Sequence, residues 1–310
     1  MRVVFLGTPE FAVPSLNALA SEHDVLAVFT QPDRPKGRAR ALAESPVKTA
    51  ASALNLPIHQ PERIRHQESV ELLRTLRAEI MVVVGYGQLI PQTIIDLPGH
   101  GILNVHASLL PKYRGAAPIQ WAIANGETKT GITIMQIDAG LDTGDMLLKA
   151  ETAIGAAEDA PALSSRLAPL GSELLLEAIH RIADGRAQWE KQNDQEATFA
   201  PILKREDGRI DWSRTAQQIY NRLRGFTPWP GAYTTFRGQQ MSVLAARPVE
   251  LPHSSSGMVR VENRRVFAGC GNGTALELLQ VQLAGKKLMT AEAFLNGYRP
   301  AENETLGGQR

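Results

Sequence analysis

Residues 104–111, NVHASLLP, place an asparagine and a histidine two positions apart, directly after an apolar, strand-like run. Side chains alternate along a strand, so Asn104 and His106 would share one face while Val105 and Ala107 pack on the other. An amide donates a hydrogen bond at any pH, and an imidazole can donate one or carry a proton. The pair could therefore stabilise an oxyanion, although a lone histidine beside a strand is more often only a core or surface residue.

Asp142 lies in the turn GLDTGD, which follows another strand-like run, and it could join that pair. Ligands of open α/β sheets bind at the carboxyl ends of the strands, where residues from separate strands meet. An aspartate beside glycines is also ordinary turn chemistry, so its position alone decides nothing. Asparagine, histidine and aspartate together can stabilise an oxyanion, transfer a proton and control how strongly the histidine holds that proton. Acyl-type transfer requires these three functions.

Strands and helices alternate through the first part of the chain. The runs RVVFLG, DVLAVFT and EIMVVVGYG read as buried strands, with helical spacing in the segments between them. This alternation predicts a Rossmann-like, doubly wound and mostly parallel sheet in a catalytic domain over residues 1–189. The first strand ends in LGTPEF, which has one glycine where a dinucleotide-binding turn has three, so NAD is not an expected ligand.

The pattern changes near residue 190. Residues 190–206 are polar and unperiodic, which is typical of a linker. DWSRTAQQIYNRLRGF then reads as one helix, and four strand-like runs follow: AYTTF, QQMSVLAARPVE, GMVRVENRRVFAGC and TALELLQVQL. Their spacing predicts a small OB-like β-barrel domain over residues 207–310.

Composition places the chain among ordinary globular proteins, with 43% hydrophobic and 21% charged residues and a net charge of +1. Residues 190–310 hold 16 Lys and Arg against 12 Asp and Glu, whereas residues 1–189 hold 17 against 20. The basic bias of the C-terminal part is compatible with nucleic acid, but solvated surfaces vary this much as well. The single cysteine, Cys270, excludes an intramolecular disulfide and any cysteine-based metal cluster.

We expect a cytoplasmic monomer. One cysteine fits a reducing compartment, and the sequence shows neither a signal peptide nor a run of about 18 apolar residues that could span a membrane. No heptad pattern or large apolar stripe predicts an oligomer. The seven histidines show no ligand spacing such as HxxxH, so we expect no metal.

The segment QPDRPKGRARALAESPVK, residues 31–48, is predicted to be a long loop because Pro32, Pro35 and Gly37 oppose regular structure. Long insertions of this kind in α/β units are usually functional. The loop is either a solvated surface loop or a phosphate-binding loop, and the sequence alone leaves both alternatives open. Its basic residues are Arg34, Lys36, Arg38, Arg40 and Lys48.

Two stretches together carry a family resemblance: NVHASLLPKYRGAAPIQWAI and GITIMQIDAGLDTGDML. They are similar to the signature of the 10-formyltetrahydrofolate-dependent formyltransferases. The resemblance covers essentially the whole chain, including VVFLGTPEFAVPSL, QPDRPKGRA, GRIDWSRTAQQIYNRLRGFTPWPGAYT and LQVQLAGKKLMTAEAFLNG. The family's catalytic Asn–His–Asp trio maps onto Asn104, His106 and Asp142. Its folate-contacting segment maps onto Ser108, Leu109, Leu110 and Pro111.

The resemblance implies transfer of the formyl group of 10-formyltetrahydrofolate to the α-amino group of methionyl initiator tRNA, in support of translation initiation. Asn104 and His106 would stabilise the tetrahedral intermediate, and Asp142 would tune the histidine or relay the proton. Neither a metal nor NAD is implied. The C-terminal domain and the loop would contact the tRNA through Lys36, Arg38, Arg40, Lys286 and Lys287.

Two other functions stay open at this point. A formyltransferase acting on an amino sugar nucleotide or on glycinamide ribonucleotide would share the same trio, but the extra domain, the basic loop and the FTPWP segment favour tRNA. A non-catalytic RNA-binding protein on a Rossmann-like scaffold would need neither Asn104 nor His106, because phosphate binding requires no such pair.

Overall fold

The chain separates into two packing units. The computed structural model describes residues 1–36, 41–251, 255–301 and 304–308. The N-terminal unit contains residues 1–118, 129–153 and 163–201, and the C-terminal unit contains residues 119–128, 154–162 and 202–310. Two short segments that precede residue 163 thus pack with the C-terminal unit. The domain boundaries at residues 189 and 206 stay predictions.

Seven strands form the sheet of the N-terminal unit, in the order β5-β2-β1-β6-β7-β8-β9. The first five of that order run parallel, whereas β8 pairs in antiparallel fashion with both β7 and β9. The chain order reverses between β1 and β6, which is the topological switch point of a doubly wound fold. The predicted Rossmann-like, mostly parallel sheet is confirmed. The strands before residue 190 are β1 (Arg2–Gly7), β2 (Asp24–Phe29), β3 (Arg34–Lys36), β4 (Ala41–Ala43), β5 (Ile58–His59), β6 (Ile80–Val84), β7 (Ile102–His106), β8 (Lys129–Gln136) and β9 (Met146–Ala153).

Helix α6 (Ala160–Ala183) packs on the face of β7 that is opposite to Asn104 and His106. A Cβ atom on Gly171, in this helix, would come within 2.9 Å of the Val105 side chain, so the two backbones approach closely. Because Val105 faces the helix, Asn104 and His106 face the other way. Among the helices of the described residues, none is both long and apolar enough to cross a membrane. The helices before residue 190 are α1 (Val13–Glu22), α2 (Pro46–Ala53), α3 (Gln67–Leu76), α4 (Gln92–Ile95), α5 (Pro118–Ala124) and α6 (Ala160–Ala183).

The basic loop contains a short ribbon, so the prediction that its first half has no regular structure was wrong. Strands β3 and β4 pair in antiparallel register, with Pro35 opposite Leu42. A proline is tolerated there because each strand of a two-stranded ribbon has an edge without a neighbouring strand. Arg38 and Arg40 lie outside the described residues, as does the side chain of Lys36.

The C-terminal unit is built on a six-stranded antiparallel sheet, in the order β10-β11-β14-β13-β12 with β15 beside β14. Both outer strands bond to the end of the chain: the Val259 amide donates to the Glu304 carbonyl (2.6 Å) and the Gly307 amide donates to the Thr235 carbonyl (2.9 Å). The C-terminal segment therefore links the two edges, as the predicted small barrel requires. The remaining elements are α7 (Ala216–Gly225), β10 (Ala232–Phe236), β11 (Gln239–Glu250), β12 (Val259–Glu262), β13 (Arg265–Gly269), β14 (Thr274–Leu283), β15 (Met289–Thr290) and α8 (Ala291–Tyr298).

Two element boundaries differ from the sequence prediction. The helix predicted over 211–226 begins at Ala216, because Thr215 and Gln218 form a reciprocal capping box. The run GMVRVENRRVFAGC is a hairpin and not one strand, since Asn263 and Arg264 adopt positive φ angles of 48° and 62°. Two consecutive residues in that conformation reverse the chain tightly.

Candidate active site

Asn104 and His106 lie at the carboxyl end of β7, on the face opposite α6. The Asn104 amide nitrogen lies 3.4 Å from Oδ1 of Asp142. The His106 Nδ1 atom lies 3.7 Å from Oδ2 of the same carboxylate. The structure thus brings the three side chains together around one carboxyl group, whereas their catalytic roles stay a prediction.

Asp142 reaches this position from the turn between β8 and β9. Its φ angle is +53°, in the left-handed region that aspartate tolerates better than most residues. The Gly115 amide donates to Asp142 Oδ2 at 2.8 Å, which fixes the carboxylate. Within the turn, the Thr143 hydroxyl donates to Asp138 Oδ1 at 2.7 Å. The turn is therefore held both by its own side chains and by the backbone of a separate loop.

The hydrogen bond of His106 decides which ring nitrogen can exchange a proton. Nε2 lies 3.0 Å from the carbonyl oxygen of Tyr113, and the side chain is almost completely buried. A carbonyl only accepts, so Nε2 must carry a hydrogen and donate it. The nitrogen that faces Asp142, Nδ1, is therefore the one that can take up or release a proton.

Buried hydrogen bonds and apolar packing hold the SLLP segment, residues 108–111, in place. The Ser108 hydroxyl is buried and donates to the Lys112 carbonyl at 2.6 Å. Thr133 of β8 bridges the segment, because its hydroxyl donates to the Ser108 carbonyl (2.7 Å) and accepts from the Leu110 amide (3.1 Å). Leu110 is buried in a cluster with two methionines of the sheet. Only Leu109 and Pro111 of the four residues are partly exposed, and contact of this segment with a folate stays a prediction.

Two residues that sequence analysis missed support the Asp142 turn. The side-chain amide of Gln192 donates to the carbonyl oxygens of Asp142 and Gly144, at 2.8 Å each. The Arg114 guanidinium donates to Gln192 Oε1 from Nε (3.0 Å) and from Nη2 (2.8 Å). Neither residue stands out in the sequence, since Arg114 follows the SLLP segment without a periodic pattern and Gln192 lies in the predicted linker.

Residues 190–200 of that predicted linker form backbone hydrogen bonds with other parts of the N-terminal unit. Glu190 and Met146 exchange two backbone hydrogen bonds of 2.8 Å. Further along, the Arg114 amide donates to the Thr198 carbonyl (2.9 Å), and the Ala200 amide donates to the Arg114 carbonyl (2.7 Å). Residues 190–200 therefore run beside the site and do not act as a free connector. The composition of this segment does not predict these contacts, because they are backbone hydrogen bonds that almost any residue type can form.

A cavity of about 500 Å³ opens at the topological switch point, at the same sheet edge as the trio. The carbonyl of Tyr86 accepts from the Thr8 hydroxyl (3.0 Å) and from the Gln31 side-chain amide (3.1 Å). Gln31 Oε1 in turn accepts from the Arg34 guanidinium (3.3 Å). Burial raises the pKa of the Tyr86 hydroxyl. The cavity is lined by Thr8, Pro9, Gln31, Pro32, Arg34, Ala43, Glu44, Ser45, Pro46, Gly85, Tyr86 and Gly87.

The basic residues that the sequence singles out differ in whether an acidic side chain pairs with them. Lys48, which lies in α2 and is not one of the predicted tRNA contacts, is ion-paired with Asp33 (2.5 Å) and Glu44 (3.1 Å). The hydrogen bond that Lys48 donates to the Asp33 carboxylate raises the pKa of Lys48. Lys286 and Lys287 are exposed between β14 and β15. Their contact with tRNA stays a prediction.

A group of possible metal ligands lies away from the trio. Within the described part of the chain, Glu22, His23 and His180 bring ligand-type atoms within 4.8 Å of one another. His23 directly precedes β2, so the group lies at the amino ends of the parallel strands. The trio lies at the carboxyl ends, and this group therefore has no part in its chemistry.

Comparison with known sequences shows that the chain is a formyltransferase. The sequence model described as formyl transferase matches residues 1–179, and the model of the formyl transferase C-terminal domain matches residues 202–299. The chain belongs to this family. Its similar relatives include the methionyl-tRNA formyltransferase of Solibacter usitatus (strain Ellin6076), 56% identical over 308 residues and 99% of both chains. The enzyme of the same name from Koribacter versatilis (strain Ellin345) is 56% identical over 309 residues, again 99% of both chains.

Among solved structures, an N-formyltransferase from Helicobacter canadensis, crystallised with folinic acid and dTDP-3-aminofucose, is similar in fold. Its TM-score is 0.66, and the match covers 89% of this chain and 98% of that one. The two sequences are 18% identical, so this likeness concerns the fold alone.

Proposed function

We propose that this chain transfers the formyl group of 10-formyltetrahydrofolate to the α-amino group of methionyl initiator tRNA, working as a cytoplasmic monomer in translation initiation. One observation carries the chemistry: Asn104 and His106 both face the Asp142 carboxylate, which a backbone amide holds in place. The names of the curated relatives support the acceptor. The antiparallel C-terminal unit supports a macromolecular acceptor, because the transfer chemistry does not require a second unit.

The reaction joins the amine nitrogen to the formyl carbon and breaks the bond from that carbon to N10 of the folate. An α-amino group titrates near 8, so a useful fraction of the nucleophile is already neutral at pH 7. The demanding part is the tetrahedral intermediate, whose oxygen becomes negative while the new ammonium must lose a proton to the departing N10. A donor for the oxygen and a proton carrier for the nitrogen are therefore required.

Asn104 supplies the donor. A side-chain amide has two hydrogens, and one of them is directed at Asp142 Oδ1 over a long 3.4 Å contact. The other hydrogen can point to the formyl oxygen. Loss of one such donor typically costs about 10²–10³ in turnover.

His106 supplies the proton carrier. Its Nε2 is committed to the Tyr113 carbonyl, so Nδ1 takes the proton from the ammonium and passes it to N10. The imidazolium formed on the way has its new N–H facing Asp142, which stabilises that charge. In this scheme Asp142 acts through His106 and needs no proton of its own.

The switch-point cavity offers space for the acceptor end of the tRNA. The cavity and the trio share one edge of the sheet, and β6 alone separates β1 from β7. The guanidinium of Arg34, oriented by Gln31, offers a charged donor to phosphate at the cavity wall. The basic loop that carries Arg34 thus fits the phosphate-binding alternative.

The test is a transfer assay with labelled 10-formyltetrahydrofolate and methionyl initiator tRNA. We expect formylmethionyl-tRNA and free tetrahydrofolate in equal amounts. Charged elongator methionine tRNA and an amino sugar nucleotide serve as competing acceptors in parallel reactions. Faster formylation of the sugar would overturn the proposed acceptor, and tRNA binding without any transfer would support the non-catalytic alternative.

A further inference from the structure

We infer that Gln192 and Arg114 are positioning residues for the transfer reaction, acting through Asp142. The inference rests on the proposed function, because only that function gives the Asp142 carboxylate a task. Gln192 contacts the backbone carbonyls of Asp142 and Gly144 and not the side chain of any trio residue. Its effect on catalysis would therefore be indirect.

The orientation of the Gln192 amide follows from its neighbours. The Arg114 guanidinium can only donate, so the oxygen Oε1 must face it. The carbonyls of Asp142 and Gly144 can only accept, so the nitrogen Nε2 must face them. All the polar contacts of this amide are satisfied in one orientation only, and the side chain is locked between two loops.

Arg114 anchors this arrangement from within the protein. The residue is only 4% exposed, and its guanidinium also bonds to Asp194 Oδ1 at 2.7 Å. Buried charged donors of this kind are costly to leave unpaired, so they fix their partners firmly. Asp194 and Gln192 belong to the same segment, and Arg114 therefore holds that segment at two points.

The same loop also holds the other end of Asp142. Arg114 directly precedes Gly115, whose amide donates to the Asp142 carboxylate at 2.8 Å. The backbone carbonyl of Asp142 is held by Gln192, and its carboxylate by Gly115, so the residue is fixed at both ends in a left-handed conformation. Such conformations persist only where the surroundings enforce them. Without Gln192 the turn could relax and withdraw the carboxylate from His106.

The decisive variant is Gln192→Met, which keeps the length of the side chain and removes its hydrogen bonds. We expect kcat to fall about 10- to 100-fold, because displacements near 1 Å in an active site cost that much. KM for both substrates should stay within about twofold, since Gln192 touches neither. Gln195→Met, at an exposed position of the same segment, is the matched control and should keep wild-type turnover.

A double-mutant cycle separates positioning from plain structural support. In the Asp142→Asn background, Gln192→Met should lower kcat by less than about threefold more, because residues that act as a unit are not additive. Equal losses in both backgrounds would overturn the inference, as would a kcat within twofold of wild type in folded Gln192→Met. If that variant does not fold, Gln192→Glu serves instead: its carboxylate still accepts from Arg114 but cannot donate to the carbonyls, so the same losses are expected.

The two proposals can fail separately. An inactive wild-type protein in the tRNA assay would remove the proposed function. An active wild type whose turnover is insensitive to Gln192 would remove only the positioning role.

Discussion

The side-chain amide of Gln192 lies 2.8 Å from the carbonyl oxygens of both Asp142 and Gly144, although 50 residues separate Gln192 from Asp142 in the chain. A segment whose composition predicts a linker is thereby hydrogen-bonded to the turn that carries Asp142. The contact joins three separate parts of the N-terminal unit: the loop after β7, the turn before β9 and the segment after α6. The geometry of the trio depends on all three.

Removal of either the proposed donor, Asn104, or the proposed proton carrier, His106, should reduce turnover and leave tRNA binding intact. We expect Asn104→Ala and His106→Ala each to lower kcat by at least about 10²–10³, equivalent to about 2.7–4 kcal/mol, because each removes a group that acts only in the transition state. Single-turnover kinetics measure the loss, and filter binding measures tRNA affinity. Turnover within about fivefold of wild type in both variants would contradict the assignment.

Gly115 should tolerate no side chain. Its φ angle is +123°, and an added Cβ would lie 2.6 Å from the Ala200 carbonyl oxygen. We expect Gly115→Ala to displace the amide that holds Asp142, so that kcat falls at least tenfold while folate binding is retained. Gly99→Ala is the control, since its Cβ would meet nothing within 4 Å. Equal activity of the two variants would exclude a role for the Gly115 amide.

The C-terminal unit should lose stability in acid through Glu277. Hydrogen bonds from Arg265 and then Arg247 hold the pKa of this buried carboxyl below its ordinary value. A pKa lowered by folding stabilises the protein above the unfolded-state pKa, near 4.3, and that stability disappears as the pH falls through the folded-state pKa. We expect Glu277→Gln to be about 1–3 kcal/mol less stable than wild type at pH 7.

The difference between the two proteins should shrink as the pH falls from 5 to 3, because the wild-type carboxyl is then protonated as well. Urea unfolding at a series of pH values measures it. A difference that stays constant over this range would show that the loss is steric and not electrostatic. Glu262→Gln, at a half-exposed position of the same sheet, is the control.

A chain that ends at residue 206 should be poorly folded, contrary to what a simple two-domain division predicts. The C-terminal unit includes residues 119–128 and 154–162, which pack on α7. The Trp121 and Phe226 rings lie 5.3 Å apart, and the Arg224 guanidinium donates to the Glu158 carbonyl at 2.9 Å. Truncation leaves these partners exposed, so we expect aggregation or a lower Tm by calorimetry. A cooperative transition at the wild-type Tm of the N-terminal unit would contradict this.

Charge removal at the turn between β14 and β15 tests the tRNA surface without truncation. Lys286→Gln and Lys287→Gln should each weaken tRNA binding and lower the slope of log K against log salt by about 1, if each lysine neutralises one phosphate. The exposed Lys129 is paired with Glu151, and Lys129→Gln is the control that should change neither quantity. Salt slopes that match wild type in both variants would place the tRNA elsewhere.

Local residue patterns predicted more of the fold and of the candidate site than the overall composition did. Alternation of apolar runs with helical segments was enough to predict the parallel sheet, because neighbouring residues alone set that periodicity. The i, i+2 spacing of Asn104 and His106 was enough to place them on one face, since a strand leaves no other choice. The expectation that Asp142 lies nearby assumed parallel strands, whereas β8 runs antiparallel to β7 and ends beside the start of β7. The turn that carries Asp142 therefore has to fold back toward Asn104 and His106, which the sequence did not predict.

Tertiary structure decided what depends on contacts between distant residues. The Gln192 contacts and the packing of residues 119–128 with α7 leave no periodic signal, because each pairs segments far apart in the chain. The bond from Nε2 to the Tyr113 carbonyl fixes the ring orientation of His106 and leaves Nδ1 facing Asp142. The residue types of the trio could therefore be identified from the sequence, whereas their orientation depends on hydrogen bonds with Tyr113, Gly115 and Gln192 that strand periodicity does not encode.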